Sequence, residues 1–244
     1  MRRLWFATII LAVFTTTAFA EKKEVTVAAD DGFGLKATLY SAGKTGPGLL
    51  LLHQCNADRQ IYDTLGTMLS AAGYNTLALD FRGFGGSRNA QYKDLAASRD
   101  KMTGDVDAAL KFLSSQDLVN KTLLGVVGGS CGVNQAIQAG RRHPEVRTMV
   151  LLSGGTDADG ESFIKNSVKM PIFGAASEED TAAAASIKKI VGLSTNHDTQ
   201  LTMLKGAGHA ASMFEKEPDL QADIVIWFRM NLPVSGYAVL PSLK

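Results

Sequence analysis

Thr122-Leu123-Leu124-Gly125-Val126-Val127-Gly128-Gly129-Ser130-Cys131-Gly132 is the stretch on which the reading of this chain turns. Residues 122–127 are a short apolar run suited to a buried strand. After the run, Val133, Ala136, Ile137 and Gly140 recur at i, i+3, i+4 and i+7, one face of a helix. Between strand and helix, Gly128 to Gly132 fit G-x-S-x-G and put Ser130 at the tip of a tight turn, the setting of a nucleophile elbow. Small residues at 128 and 132 let the two backbones come close. The hydroxyl projects from the turn, and the helix N-terminus offers N–H groups and a positive dipole end to a developing oxyanion. A glycine-rich βα loop with a chance serine is the plainer alternative; the flanks favour the elbow.

Outward from this turn, strand and helix patterns alternate. Residues 25–29 and 35–40 read as a hairpin around Asp30-Asp31-Gly32, and 48–52 as a strand buried on both faces. A helical face over 61–72 ends at Gly73, and strands are expected at 75–79, 146–152, 172–176 and 200–204. Met102, Val106, Ala109, Leu110 and Leu113 mark a helix; residues 182–191 form an alanine-rich one; Leu220, Ile224, Trp227 and Phe228 stripe the last. The alternation predicts an α/β fold, a mostly parallel sheet with helices on both faces. The connection 154–170 has room for a small excursion and not for a large cap domain, so the cleft should be open.

A serine hydroxyl needs a base to take its proton. Of four histidines, His209 follows the last strand in Lys205-Gly206-Ala207-Gly208-His209, a flexible loop that lets an imidazole reach across the strand ends. His143 ends a helix before Pro144 and reads as a dipole partner, His197 lies in a polar loop, and His53 organises the loop after a buried strand. The base needs an orienting carboxylate, and Asp180, after the strand 172–176, completes the order Ser130, Asp180, His209. Asp180 could instead cap the helix that follows; Glu178, Glu179, Asp157 and Asp159 are the other carboxylates in range. The oxyanion donors expected are the N–H of Cys131 and that of Cys55, with Gln54 as second choice for the latter.

With these residues the chain resembles the α/β-hydrolase superfamily over essentially all of residues 21–244, and within it dienelactone-hydrolase-like and small esterase members. The resemblance rests on His53-Gln54, Asp80-Phe81-Arg82-Gly83-Phe84-Gly85-Gly86-Ser87, Gly128 to Gly132, Ser177 with Asp180, and Gly206-Ala207-Gly208-His209. It implies a single α/β-hydrolase domain and a serine hydrolase acting on a small acyl substrate, most simply a carboxylic ester, through an acyl-enzyme. A peptidase or thioesterase on the same triad, or a non-catalytic binding protein on this fold, are the alternatives. The Asp80–Ser87 loop is structural in such proteins. Gln54 stands where many members carry glycine and should narrow the acyl side. Dienelactone hydrolases proper use a cysteine nucleophile; here the serine is in frame and Cys131 is one residue out.

Cys55 and Cys131 are the only cysteines. If both N–H groups bind one oxygen at ~3 Å, their nitrogens lie within ~6 Å, and a disulfide becomes feasible. Two free buried thiols are the alternative. Arg2 and Arg3 precede an apolar run, and Ala18-Phe19-Ala20 is an A-x-A site: a signal peptide over 1–20 cut after Ala20, sending the protein to a secreted or periplasmic, oxidising location. Its removal leaves 23 Lys+Arg against 24 Asp+Glu, so nothing points to nucleic acid, and no later segment is apolar enough to span a bilayer. No metal or cofactor motif stands out, and a monomer is the default expectation.

Overall fold

The strand Gly46–Leu52 (β3) is buried at every position. Its side chains alternate between two cores: Leu50 and Leu52 join one, Leu49 and Leu51 the other. Period-two alternation across a sheet covered on both faces explains the continuous apolar run, and each buried leucine contributes roughly 1.5–3 kcal/mol. The computed structural model describes residues 21–234, so the expected leader over 1–20 lies outside the described residues.

Around β3 the chain lays down β1 (Glu21–Ala28), β2 (Gly34–Ser41), β4 (Asn75–Leu79), β5 (Val119–Gly129), β6 (Val146–Leu152), β7 (Ile172–Ser177) and β8 (Gln200–Leu204). The eight strands form one sheet in the order β1-β2-β4-β3-β5-β6-β7-β8. β1 and β2 make the expected antiparallel hairpin, β2 is antiparallel to β4, and every pairing from β4 to β8 is parallel. The helices are α1 (Asp63–Ala71), α2 (Leu95–Ser98), α3 (Met102–Ser114), α4 (Cys131–Arg142), α5 (Ala158–Asn166), α6 (Thr181–Leu193), α7 (Met213–Lys216) and α8 (Asp219–Asn231).

Their apolar stripes divide between the two cores. Val106, Leu110 and Leu113 of α3, Val133 and Ile137 of α4, Ile164 of α5 and Ile187 of α6 pack with Leu50 and Val126. Leu65 and Leu69 of α1, with Leu220, Ile224, Trp227 and Phe228 of α8, pack with Leu49 and Val127 on the other face. Between β6 and β7 the nine-residue α5 intervenes, and among the described residues no cap domain covers the strand ends.

The short helices α2 and α7 have no counterpart in the sequence reading, β1 begins at Glu21 instead of residue 25, and three further elements differ. Residues 59–62 form a 3-10 turn, and α1 begins only at Asp63. Asp58 accepts from the Gln60 N–H, and Asp80 draws in Arg59, which tightens the chain there. β5 starts earlier than its apolar run, because Val119 and Asn120 pair with Gly46 and Pro47 before a register irregularity. α5 carries too weak an apolar stripe to be read from sequence; Asp157 caps it through the Gly160 N–H.

Candidate active site

The residues singled out lie at the C-terminal ends of the parallel strands, where open α/β sheets place their ligand crevices. Ser130 follows β5 and precedes α4 with φ 52° and ψ −114°. Its N–H donates to the Leu152 carbonyl at 2.8 Å, and its carbonyl accepts from the Val133 N–H at 2.9 Å. The turn tolerates no side chain at its flanks. A Cβ on Gly128 would lie 2.3 Å from the Gly132 carbonyl oxygen, and one on Gly132 would lie 2.5 Å from that of Leu52. The non-glycine residues with positive φ among those described are Ser130, Ser153 and Ala210. All three fall at this end of the sheet, and strained backbone of this kind persists where the surroundings over-determine it.

His209 and Asp180 meet there. The Nδ1 of His209 lies 2.5 Å from Oδ2 of Asp180. Asp180 occupies the N-cap position of α6, yet its side chain makes no capping bond, so the carboxylate is turned to the imidazole. Ser130, Cys131, Asp180 and His209 line one open cleft of about 360 Å³ together with Gly154 and Ser186. A larger cleft of about 510 Å³ opens at the other end of the strands, beside Asp107, His143 and Glu145, and holds none of these side chains. The first cleft brings a hydroxyl, an imidazole and a carboxylate together beside a helix N-terminus.

The other candidate carboxylates take different places. Glu179 accepts from the Ser177 hydroxyl at 2.7 Å and from the Gly206 N–H at 2.5 Å. The Gly206 hydrogen bond, with that from Ser177, holds its carboxyl below the usual range. Ser177 in turn accepts from the Ala207 N–H, and Lys216 donates to the Gly206 carbonyl, so the loop leading to His209 is tied at three points. Asp157 caps α5 and accepts from Gln138; Asp159 pairs loosely with Arg141 at 3.7 Å; Glu178 is exposed.

The other histidines are accounted for. His143, at the end of α4, sits 2.7 Å from Asp107, and His197 is exposed beside Asp198. His53 is fully buried, and burial lowers its pKa, which holds the ring neutral. The Phe81 N–H donates to its Nε2 at 3.0 Å, so Nδ1 carries the proton and donates to the Gln54 carbonyl at 2.7 Å. His53 thereby fixes the peptide that begins the expected oxyanion loop.

Cys55 and Cys131 form a disulfide with Cα atoms 5.8 Å apart, closing a sequence separation of 76 residues. It ties the loop after β3 to the first residue of α4. Among the described residues, the N–H groups of Cys55 and Cys131 find no backbone acceptor. Gln54 does not stand in the cleft as the sequence suggested. Its side chain is buried and hydrogen-bonded into the loop after His209. No signal in the sequence separates a glutamine that faces substrate from one that faces the protein.

The Asp80–Ser87 loop is built from paired charges. Asp80 accepts from the Arg59 N–H and the Gly86 N–H, both at 2.7 Å, and forms an ion pair with the Arg59 guanidinium. Arg82 is held by Asp31 and Asp105 and lies over the rings of Phe33 and Tyr92, 4.4 and 4.7 Å from their centres. Its hydrogen bonds bring the Asp31 carboxyl down to about 2. These charges are spent on each other, as a structural loop requires. Among the described residues no cluster of His, Cys, Asp and Glu is placed to hold a metal ion, and no helix is long and apolar enough to cross a membrane.

Sheet order, elbow and open cleft together define an α/β-hydrolase fold. Solved structures agree. An esterase of Pyrococcus furiosus, Pf2001, superposes with a TM-score of 0.72 over 92% of this chain and 98% of its own, at 19% identity. A dienelactone hydrolase of Anabaena variabilis superposes with a TM-score of 0.66 over 88% of this chain and 99% of its own, at 20% identity. Residues 47–170 match the family described as serine aminopeptidase S33, and the chain belongs to that family. Ser130 lies inside the matched span; Asp180 and His209 lie beyond it. Two curated relatives, uncharacterized proteins from two strains of Mycobacterium tuberculosis, are each 27% identical over 124 residues, covering 50% of this chain and 42% of theirs.

Proposed function

We propose that this protein is a serine hydrolase acting on carboxylic esters of small acyl substrates. The observation that carries the reading is the 2.5 Å contact between His209 Nδ1 and Asp180, beside a serine held at φ 52° in the same cleft. With Nδ1 committed to Asp180, Nε2 is the nitrogen left to take the Ser130 proton. As that proton moves, Ser130 Oγ bonds to the acyl carbon and the carbonyl electron pair goes to oxygen. The N–H groups of Cys131 and Cys55 receive the oxyanion, with Gln54 the alternative second donor. On collapse His209 returns the proton to the leaving alcohol. Water then repeats the attack on the acyl-enzyme, and Asp180 orients the imidazole and stabilises its charged form in both halves.

The disulfide holds the two donor-bearing residues at a fixed separation, which preorganises the oxyanion site. It also supports export to an oxidising compartment after cleavage behind Ala20. N-terminal sequencing of the secreted or periplasmic protein tests that part, with Glu21 the expected first residue. The family's description as a serine aminopeptidase favours a second reading, amide cleavage by the same residues. Hydrolysis of p-nitrophenyl esters from acetate to decanoate, run beside amino-acid p-nitroanilides, separates the two. Ester turnover that vanishes in Ser130→Ala supports the first. Turnover of anilides alone supports the second, and turnover that survives in Ser130→Ala defeats both.

A further inference from the structure

We propose that Gln54 is a positioning residue that locks the His209 loop onto the oxyanion loop. This rests on the catalytic reading given above and adds a residue to it. The Gln54 side chain is 2% exposed and spans two segments 157 residues apart. Its Oε1 accepts from the Ala211 N–H at 3.0 Å. Its Nε2 donates to Asn56 Oδ1 at 2.8 Å and to Ser212 Oγ at 3.3 Å. The amide orientation follows from the chemistry: a backbone N–H must face the oxygen, which leaves the NH₂ to the two oxygen partners. The Gln54 backbone is fixed as well, since its carbonyl accepts from His53 Nδ1–H and from the Ala57 N–H.

What the staple holds is strained. Ala210, directly after His209, has φ 50°, and the Ser212 N–H turns back to the His209 carbonyl at 3.1 Å. A left-handed alanine is strained and stays put only if its neighbours enforce it. Before His209, Glu179, Ser177 and Lys216 hold the chain at Gly206 and Ala207. After it, the Gln54 amide holds Ala211 and Ser212. The same residue begins the loop that carries the Cys55 donor, so one amide sets base and oxyanion site relative to each other. A glycine at 54 could not do this.

The test is the kinetics of Gln54→Met and Gln54→Glu with an ester that the wild type hydrolyses. Methionine keeps the volume and removes the acceptor for Ala211. Displacing a base by about 1 Å can slow chemistry by about a hundredfold. Gln54→Met is therefore expected to lose about tenfold to a hundredfold in kcat with KM changed less than about twofold. Gln54→Glu keeps the acceptor for Ala211 while losing the two bonds that Nε2 donates, and should recover part of the loss. Faster exchange of the Ala211 amide hydrogen in Gln54→Met is the matching structural readout. A Gln54→Met enzyme with wild-type kcat, or one changed only in KM, overturns the proposal. If Gln54→Met does not fold, Gln54→Glu decides alone: a kcat as low as that of His209→Ala overturns the role. A wild type that neither turns over esters nor reacts with a fluorophosphonate overturns the catalytic reading and this proposal together. An active wild type with an indifferent Gln54→Met overturns this proposal only.

Discussion

Removing the Cys55–Cys131 bridge should destabilise the fold by an amount its position dictates. The bridge closes a sequence separation of 76 residues. In the chain-entropy account, closing a loop of that length removes about 15 cal/mol/K from the unfolded ensemble, about 4.5 kcal/mol at 25 °C. Single domains have only about 5–15 kcal/mol in total, so this is a large share. The perturbation is the double variant Cys55→Ala with Cys131→Ala, which leaves both backbone donors in place. The assay is equilibrium unfolding in urea. With an m-value of about 3 kcal/mol/M, the midpoint should fall by about 1.5 M. Turnover should fall further than KM rises, because the loop after β3 is no longer fastened to α4. A midpoint within about 0.3 M of wild type would refute the reasoning. So would two reactive thiols per chain in the unreduced, denatured wild type.

Other substitutions read different parts of the site. Ser130→Ala and His209→Ala should each remove at least about a thousandfold of kcat, and the double variant should be no slower than about twofold below the worse single, since the two act as a unit; steady-state ester hydrolysis measures this. Asp180→Asn should cost less than either, and an unchanged rate would pass the orienting role to another carboxylate. Gly132→Val should abolish soluble, folded protein or its turnover, because even the first carbon meets the Leu52 carbonyl oxygen at 2.5 Å. The Asp31 carboxyl is depressed from 3.8 to about 2 by Arg82. A depressed carboxyl contributes stability that is complete above its unfolded pKa and lost as pH falls through the folded one. Urea midpoints taken from pH 5 to 2 should therefore drop more steeply in wild type than in Asp31→Asn, with the difference falling between about pH 4 and 2.

Much of the fold was legible because its signals are local. The apolar run 48–52 is what a strand covered on both faces carries, and the G-x-S-x-G turn is flanked by patterns of the right period. The bridge was one of two outcomes the sequence left open, free thiols being the other, and the structure has the bridge. What escaped the sequence depends on where side chains turn. Asp180 was the carboxylate the sequence assigned to His209, and the two do meet, but nothing in the sequence reports that its neighbour Glu179 turns to Gly206 and Ser177. The sequence suggests that Gln54 narrows the acyl side, because nothing in it reports that Ala211 lies beside this side chain. The positive φ of Ser153 and Ala210 left no trace either, since neither is a glycine. The 3-10 turn before α1 is held in part by Asp80, 21 residues away from Arg59, and distant pulls of that kind are invisible to periodicity.

The most direct test of the central claim is the intact mass and peptide map of the protein after reaction with a fluorophosphonate. One adduct per chain on Ser130, absent from Ser130→Ala and strongly slowed in His209→Ala, is the predicted result. No adduct, or an adduct on another residue, would contradict the assignment of Ser130 as an activated nucleophile.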